Sequence, residues 1–249
     1  MNQHSAAPVL EVVGLRRAFG GLVAVNDLGF AVAQGEIMGL LGPNGSGKTT
    51  ALNLMSGVLR PDTGTIRLGG QNIAGIASWK IARLGLARTF QLVRVLDGMD
   101  CRENIRAGLA FQKPHLPEAE AATRIDSLLN RVGLGGQDQR TAADLTYIDR
   151  KRLELARALA ARPRLLLLDE WLAGLNPSEL VIGIDLIRSL KVDGITIVLV
   201  EHVMSAVRAL CDRCVVMSSG RKIAEGPTDD VLNDAAVVKA YLGGVAADA

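Results

Sequence analysis

Aromatic residues are scarce, at 3% of the 249. A core drawn from Leu, Val, Ile and Ala suits an α/β protein better than a barrel or sandwich rich in Tyr and Trp. Charge of one sign is also lacking: 28 Lys and Arg stand against 26 Asp and Glu, a net charge of +2. No basic tract exceeds a few residues, so nucleic acid, which is bound by neutralising its phosphates, is not an expected partner. The three cysteines, Cys101, Cys211 and Cys214, are an odd count without a disulfide framework, as in a reducing compartment. Cys211 and Cys214 have CxxC spacing, but no second Cys/His pair completes a zinc site, and core cysteines are expected. No apolar run approaches the ~18–20 residues of a membrane span, and residues 1–8 lack the apolar core of a signal peptide. A cytoplasmic chain follows, one that meets a membrane only through a partner.

What is present fits that outline. Hydrophobic residues are 49% and charged residues 22%, enough for a buried core and too little net charge for disorder. Residues 10–13, 28–33, 36–41, 64–68 and 86–90 read as strands, with a helix at 48–55. From 92 to 161 the pattern turns helical; over 118–132, Ala122, Ile125, Leu128, Leu129 and Val132 fall at helical spacing. Strands resume at 165–168, 195–200, 213–217 and 222–225, with helices after Pro177 and at 203–210 between them, and two short helices last. Strands alternating with helices predict a mainly parallel sheet covered on both faces. The expected organisation is one domain over 1–249. Its core is formed by 8–91 and 162–249, and 92–161 is an inserted helical subdomain.

The run Gly42-Pro43-Asn44-Gly45-Ser46-Gly47-Lys48-Thr49, followed by Thr50, matches G-x-x-x-x-G-K-[ST] in full. Glycines let backbone N–H groups turn inward onto phosphates, and the helix that follows presents its N-terminus to the same anion. Lys48 is placed to reach the outer phosphates and the Thr49 hydroxyl to ligate Mg²⁺. Leu165-Leu166-Leu167-Leu168-Asp169-Glu170 reads as a buried strand ending in two carboxylates. Asp169 suits the Mg²⁺ shell and Glu170 suits polarising an attacking water. A GTPase is disfavoured, because the base-reading pattern N/T-K-x-D has no closer echo than Leu190-Lys191-Val192-Asp193.

With these motifs the chain resembles, over nearly its whole length, the ATPase of an ATP-binding-cassette (ABC) transporter. Gln91 in Arg88-Thr89-Phe90-Gln91, His202 in Leu199-Val200-Glu201-His202 and Phe19 in Arg17-Ala18-Phe19-Gly20-Gly21 stand in the family's order. The resemblance implies that Phe19 stacks on adenine, that Gln91 links Mg²⁺ to the helical subdomain and that His202 contacts the γ-phosphate. It also implies a P-loop core with an N-terminal antiparallel β portion. Two such chains, alike or different, would sandwich two ATP molecules, each loop facing the partner's signature. Arg88-Thr89-Phe90-Gln91, Ala173-Gly174-Leu175-Asn176-Pro177, Glu201-His202 and Ala240-Tyr241-Leu242-Gly243 look like one branch, the importers of branched-chain amino acids and related polar solutes. Transmembrane permease subunits and, indirectly, an extracytoplasmic binding protein are then implied partners, with the chain peripheral on the inner face of the membrane.

The signature departs from LSGGQ. Here it is Leu145-Thr146-Tyr147-Ile148-Asp149, then Arg150-Lys151-Arg152, with Ile148 for a glycine and Asp149 for the glutamine. Asp149 is expected to cap the helix that begins there. Trp171 follows Glu170 where many members have proline. A weakly catalytic ATP-binding partner in a heterodimer therefore stays open, as does a soluble ABC protein outside transport. The latter usually carries two cassettes or a long coiled-coil insertion.

Overall fold

A computed structural model describes residues 7–112 and 114–245, so most of the polar stretch 1–8 lies outside the described residues. β1 (Leu10–Phe19) and β2 (Leu22–Val32) form a hairpin about Gly20-Gly21, with Leu10 opposite Val32 and Phe19 opposite Leu22. β3 (Ile37–Leu41) is buried along its length and runs into the glycine loop and α1 (Lys48–Met55). β4 (Thr63–Leu68) and β5 (Gln71–Asn72) complete an antiparallel sheet in the order β2-β1-β4-β5. After α2 (Ser78–Arg83) and β6 (Leu86–Arg88) comes the helical block of α3 (Cys101–Leu109), α4 (Glu118–Arg131) and α5 (Tyr147–Ala160). The chain returns through β7 (Leu165–Asp169), α6 (Pro177–Val192), β8 (Thr196–Val200), α7 (Met204–Leu210) and β9 (Arg213–Ser218). β10 (Arg221–Pro227), α8 (Thr228–Leu232) and α9 (Ala235–Val245) follow.

The second sheet has the order β10-β9-β3-β8-β7-β6, parallel throughout except for β10. Its strands feed two cores by alternation. Ile37, Leu41, Leu166, Leu168, Ile197 and Leu199 belong to the core they share with the helical block and with α6 to α9. Met38, Leu40, Leu165, Leu167, Val198 and Val200 face α1 and the antiparallel sheet. Each such side chain contributes about 1.5–3 kcal/mol on full burial, and the two-sided burial explains why these strands are continuous apolar runs.

Side chains fix the starts of α3 and α6. Asp100 and Glu103 form a capping box on α3, and Asn176 and Glu179 form one on α6, where Pro177 occupies the first turn. The predicted mixture of a parallel core, an antiparallel portion and an inserted helical block is the architecture found. Where the hairpin differs, β1 continues past Val13 to Phe19 and β2 begins at Leu22, because bulges between Val12 and Ala18 break the alternation that marks a strand. α2 and β5 are too short for periodicity to reveal. On α4 the buried position belongs to Ala121, with Ala122 only half-buried.

Cys211 and Cys214 are buried free thiols packed on Gly39, where a Cβ would come within 2.8 Å of the Cys214 sulfur. A hydrogen bond shared with Cys214, together with burial, pushes the Cys211 thiol up. Among the described residues, no cluster of His, Cys, Asp and Glu could by itself hold a metal.

Candidate active site

The loop between β3 and α1 has a backbone only glycine tolerates at two points. Gly42 has φ 143°, and a Cβ there would lie 2.1 Å from the Met217 carbonyl oxygen. Gly47, at φ 103°, would meet the Ala24 carbonyl oxygen at 2.3 Å. Lys48 is buried, its Nζ donating to the carbonyls of Gly42 (2.7 Å) and Pro43 (3.0 Å). Burial lowers its pKa, while Glu170 and Asp169 pull it back up. The Ser46 hydroxyl is buried without a partner among the described residues.

A cleft of about 580 Å³ opens over this loop. It is lined by Asn44, Gly45, Ser46, Gly47, Lys48, Thr49 and Thr50, with Phe19 to one side and Gln91 and Glu170 to the other. Gly42 and Pro43 do not line it, and touch it only through their carbonyls' contacts with Lys48. Phe19 is exposed, and the Arg17 guanidinium lies 4.8 Å from its ring centre.

Asp169 ends β7, 2% exposed. Its Oδ2 accepts from Arg88 at 2.8 Å, and its Oδ1 is buried with no partner among the described residues. That free oxygen, with the Thr49 hydroxyl in the cleft, is the donor set a hard divalent cation or its bound water would use. Glu170 follows in a left-handed conformation, φ 51°, unusual for a residue with a Cβ. This turn aims its carboxylate at two groups that sequence alone had placed far apart. Gln91 Nε2 donates to Oε2 at 2.8 Å, and His202 Nε2 lies 2.7 Å from Oε1. The expected metal role of Gln91 would fall to its Oε1, the end of the amide not used here.

Leu145, Thr146, Tyr147, Ile148 and Asp149 do not line this cleft. They sit at the start of α5, with Leu145 buried and Thr146 and Tyr147 exposed. Contrary to expectation, Asp149 is not the cap. Thr146 is, its Oγ1 accepting from the Asp149 N–H at 3.3 Å. The Asp149 carboxylate accepts instead from the Thr146 hydroxyl (2.8 Å) and pairs with Arg152 (3.0 Å).

Other site residues escaped the sequence reading. The Arg88 side chain is 5% exposed and also donates to Asn53 Oδ1 (2.6 Å) and Ser56 Oγ (3.1 Å), so it fixes Asp169 against α1. Of the three basic residues after the signature, Arg150 pairs with Asp97 and Arg152 with Asp149, but Lys151 turns into the core, 2% exposed. Glu201 is fully buried and accepts from the Leu172 N–H at 2.6 Å. Burial pushes its pKa up to about 7 against the pull of that bond and of Lys151. Tyr241 of α9 accepts from the Gly42 N–H at 2.8 Å, which ties the end of the chain to the start of the glycine loop. Of these, Arg88, Glu201 and Tyr241 lay in motifs that the sequence had singled out, and Lys151 in the basic run after the signature.

The ABC transporter family profile matches residues 25–173, and that of the branched-chain amino acid ATP-binding cassette transporter matches 221–247. The high-affinity branched-chain amino acid transport ATP-binding protein BraF of Pseudomonas aeruginosa is 40% identical over 251 residues, covering 95% of this chain and 98% of that protein. LivG of Escherichia coli K12, of the same description, is 39% identical over 250 residues, with the same coverage. Among solved structures, the ADP conformation of MJ1267, an ATP-binding cassette of an ABC transporter, superposes with a TM-score of 0.83 at 27% identity. That match covers 96% of this chain and all of that one.

Proposed function

The chain belongs to the ABC transporter ATP-binding family, and from that premise we propose that it binds and hydrolyses ATP to drive import of branched-chain or related amino acids. The observation that carries the chemistry is the Glu170 carboxylate, bridged by Gln91 at 2.8 Å and His202 at 2.7 Å in one cleft with Lys48 and Thr49.

In this reading the phosphates of ATP lie against the N–H groups of residues 44–50 and the N-terminus of α1. Lys48 then turns from the loop carbonyls to the outer phosphates, and Phe19 offers its exposed face to the base. Thr49 and Asp169 Oδ1 are the protein groups that would hold Mg²⁺, directly or through water. Mg²⁺ supplies neutralisation of phosphate charge. Glu170 orients a water whose oxygen attacks the γ-phosphorus as the bond to the β-phosphate oxygen breaks, and it accepts the water's proton. His202 and Gln91 hold the carboxylate in place.

The partners are a second ATPase subunit, alike or different, and permease subunits. An apolar groove of about 450 Å³ between the core and the helical block, with Trp79, Phe90, Leu96 and Phe111 among its lining, suits a permease segment. Among the described residues no helix is long and apolar enough to cross a membrane, which supports peripheral attachment at the inner face through that groove. The cargo reading rests on the C-terminal profile match and the relatives above. Reconstitution in proteoliposomes with permease and binding protein tests it. ATP-dependent uptake of leucine, isoleucine or valine is expected, and turnover indifferent to all three would refute the cargo.

A further inference from the structure

Helix α5 begins with the signature and carries two buried charges three residues apart, Lys151 and Glu154, each 2% exposed. Neither is paired with an opposite charge at ion-pair distance among the described residues; both grip backbone. Lys151 Nζ donates to the carbonyls of Ala173 (2.6 Å), Trp171 (3.1 Å) and Glu170 (3.4 Å). Trp171 answers, its Nε1 donating to the Lys151 carbonyl at 3.2 Å. Glu154 accepts from the N–H groups of Arg94 (2.9 Å) and Phe90 (3.3 Å), which flank Gln91. Thus a cation holds the carbonyls after Glu170 and an anion holds the amides around Gln91, and these are the two residues whose side chains meet in the cleft. Burying an ammonium or a carboxylate costs several kcal/mol unless it is compensated, so each charge needs these backbone groups in place.

We propose that Lys151 and Glu154 are positioning residues that couple the start of α5 to the Gln91–Glu170 pair. Displacement of the signature turn then alters how Glu170 presents its carboxylate within the same chain. The left-handed backbone at Glu170, φ 51°, is the element this grip holds: without the cation on the carbonyls of Glu170, Trp171 and Ala173 the turn can relax towards ordinary angles. Tyr147, one helical turn before Lys151 and exposed, has its ring centre 5.1 Å from Lys151 Nζ. A contact made on the signature surface therefore lies one side chain from the grip. This rests on the reading of Glu170 as the water-orienting carboxylate.

The test measures kcat for Mg-ATP and the affinity for a fluorescent N-methylanthraniloyl ATP on the purified full chain. Lys151→Met should lower kcat at least tenfold while affinity stays within threefold. Lys151→Arg, which restores a cation with several donors, should recover kcat to within about threefold of the parent. Glu154→Gln, which keeps an acceptor oxygen, should be milder than Glu154→Leu. A purely structural role predicts something else: kcat, affinity and melting temperature fall together, and arginine gives no rescue. That result, or Lys151→Met with parental kcat, overturns the proposal. If Lys151→Met is insoluble, Trp171→Phe decides, since it keeps an aromatic ring and removes the N–H. A two- to fivefold loss in kcat at constant affinity supports the grip, and parental kcat removes it. Glu170→Gln run alongside separates the two readings. Parental turnover in that variant sinks the role of Glu170, whereas parental turnover in the Lys151 and Trp171 variants alone sinks only the coupling.

Discussion

The loop over α1 and the signature turn over α5 both open helices, and they are held by opposite means. Around Lys48 the constraint is backbone: Gly42 and Gly47 occupy angles and spaces that no other residue fits, and the chain before and after is buried strand and helix. At Thr146 and Tyr147 the surface is exposed and the constraint lies underneath, in Lys151, Glu154 and Arg152. The first arrangement binds a fixed anion in a preformed cradle. In the coupling proposed above, the second presents a surface whose displacement would reach Gln91 and Glu170 through these charges. A rigid cradle beside an adjustable lever is what coupling of chemistry to motion requires.

The largest effect should come from the rigid side. Lys48→Ala should reduce ATP turnover at least a hundredfold and weaken nucleotide binding, because among the described residues no other cation lines that cleft. A purified variant with near-parental turnover would free the loop from its assigned role. The support beneath Glu170 should respond next, through Glu201. Burial raises its pKa from 4.5 to about 7, so the folded state holds this proton more tightly than the unfolded chain. Its contribution to stability is full below pH ~4.5, is lost as pH rises to about 7, and is flat beyond, a decline of roughly 3 kcal/mol. Lys151 from α5 and Glu170 from the turn are the charged groups that act on it. Denaturant unfolding from pH 4.5 to 8 should show Glu201→Gln gaining on the parent by about that amount. A pH-independent difference between the two would mean that Glu201 titrates normally.

Smaller effects sharpen the contrast. Tyr241→Phe removes one hydrogen bond to the cradle and is expected to weaken ATP affinity by a few-fold, in line with ~1 kcal/mol for such a bond; unchanged affinity would make α9 a bystander. On the adjustable side, Ile148→Gly with Asp149→Gln should raise turnover of the assembled transporter about twofold if the departures slow the site they face. Equal or lower turnover at saturating ATP would end the asymmetric view of the dimer. Because Arg152 and Thr146 already neutralise and occupy the Asp149 carboxylate, this is the smallest change expected.

The cradle was legible in the sequence because its requirements are local. Glycines at fixed spacing, a lysine, a hydroxyl and an apolar strand before them state the chemistry within one short segment. Asp169 and Glu170 were legible for the same reason, at the end of a run of four leucines. Lys151 was not: beside Arg150 and Arg152 it reads as one more solvated cation, and only the roll of α5 turns it inward. Nor could sequence assign the helix cap, since Thr146 and Asp149 are both competent and the register of α5 decides between them. Arg88 lay within a recognised motif, yet its pairing with Asp169 depends on β6 and β7 being neighbours in the sheet, which spacing alone does not state.

The central claim is that Glu170, fixed by Gln91 and His202, orients the attacking water while the cradle binds ATP without its help. Glu170→Gln keeps shape and hydrogen bonding and removes the carboxylate, so ATP affinity and hydrolysis rate measured on the same purified sample test the claim most directly. Affinity within about threefold of the parent, with hydrolysis reduced at least a hundredfold, is the predicted result; unaltered hydrolysis, or affinity and hydrolysis lost together, would contradict it.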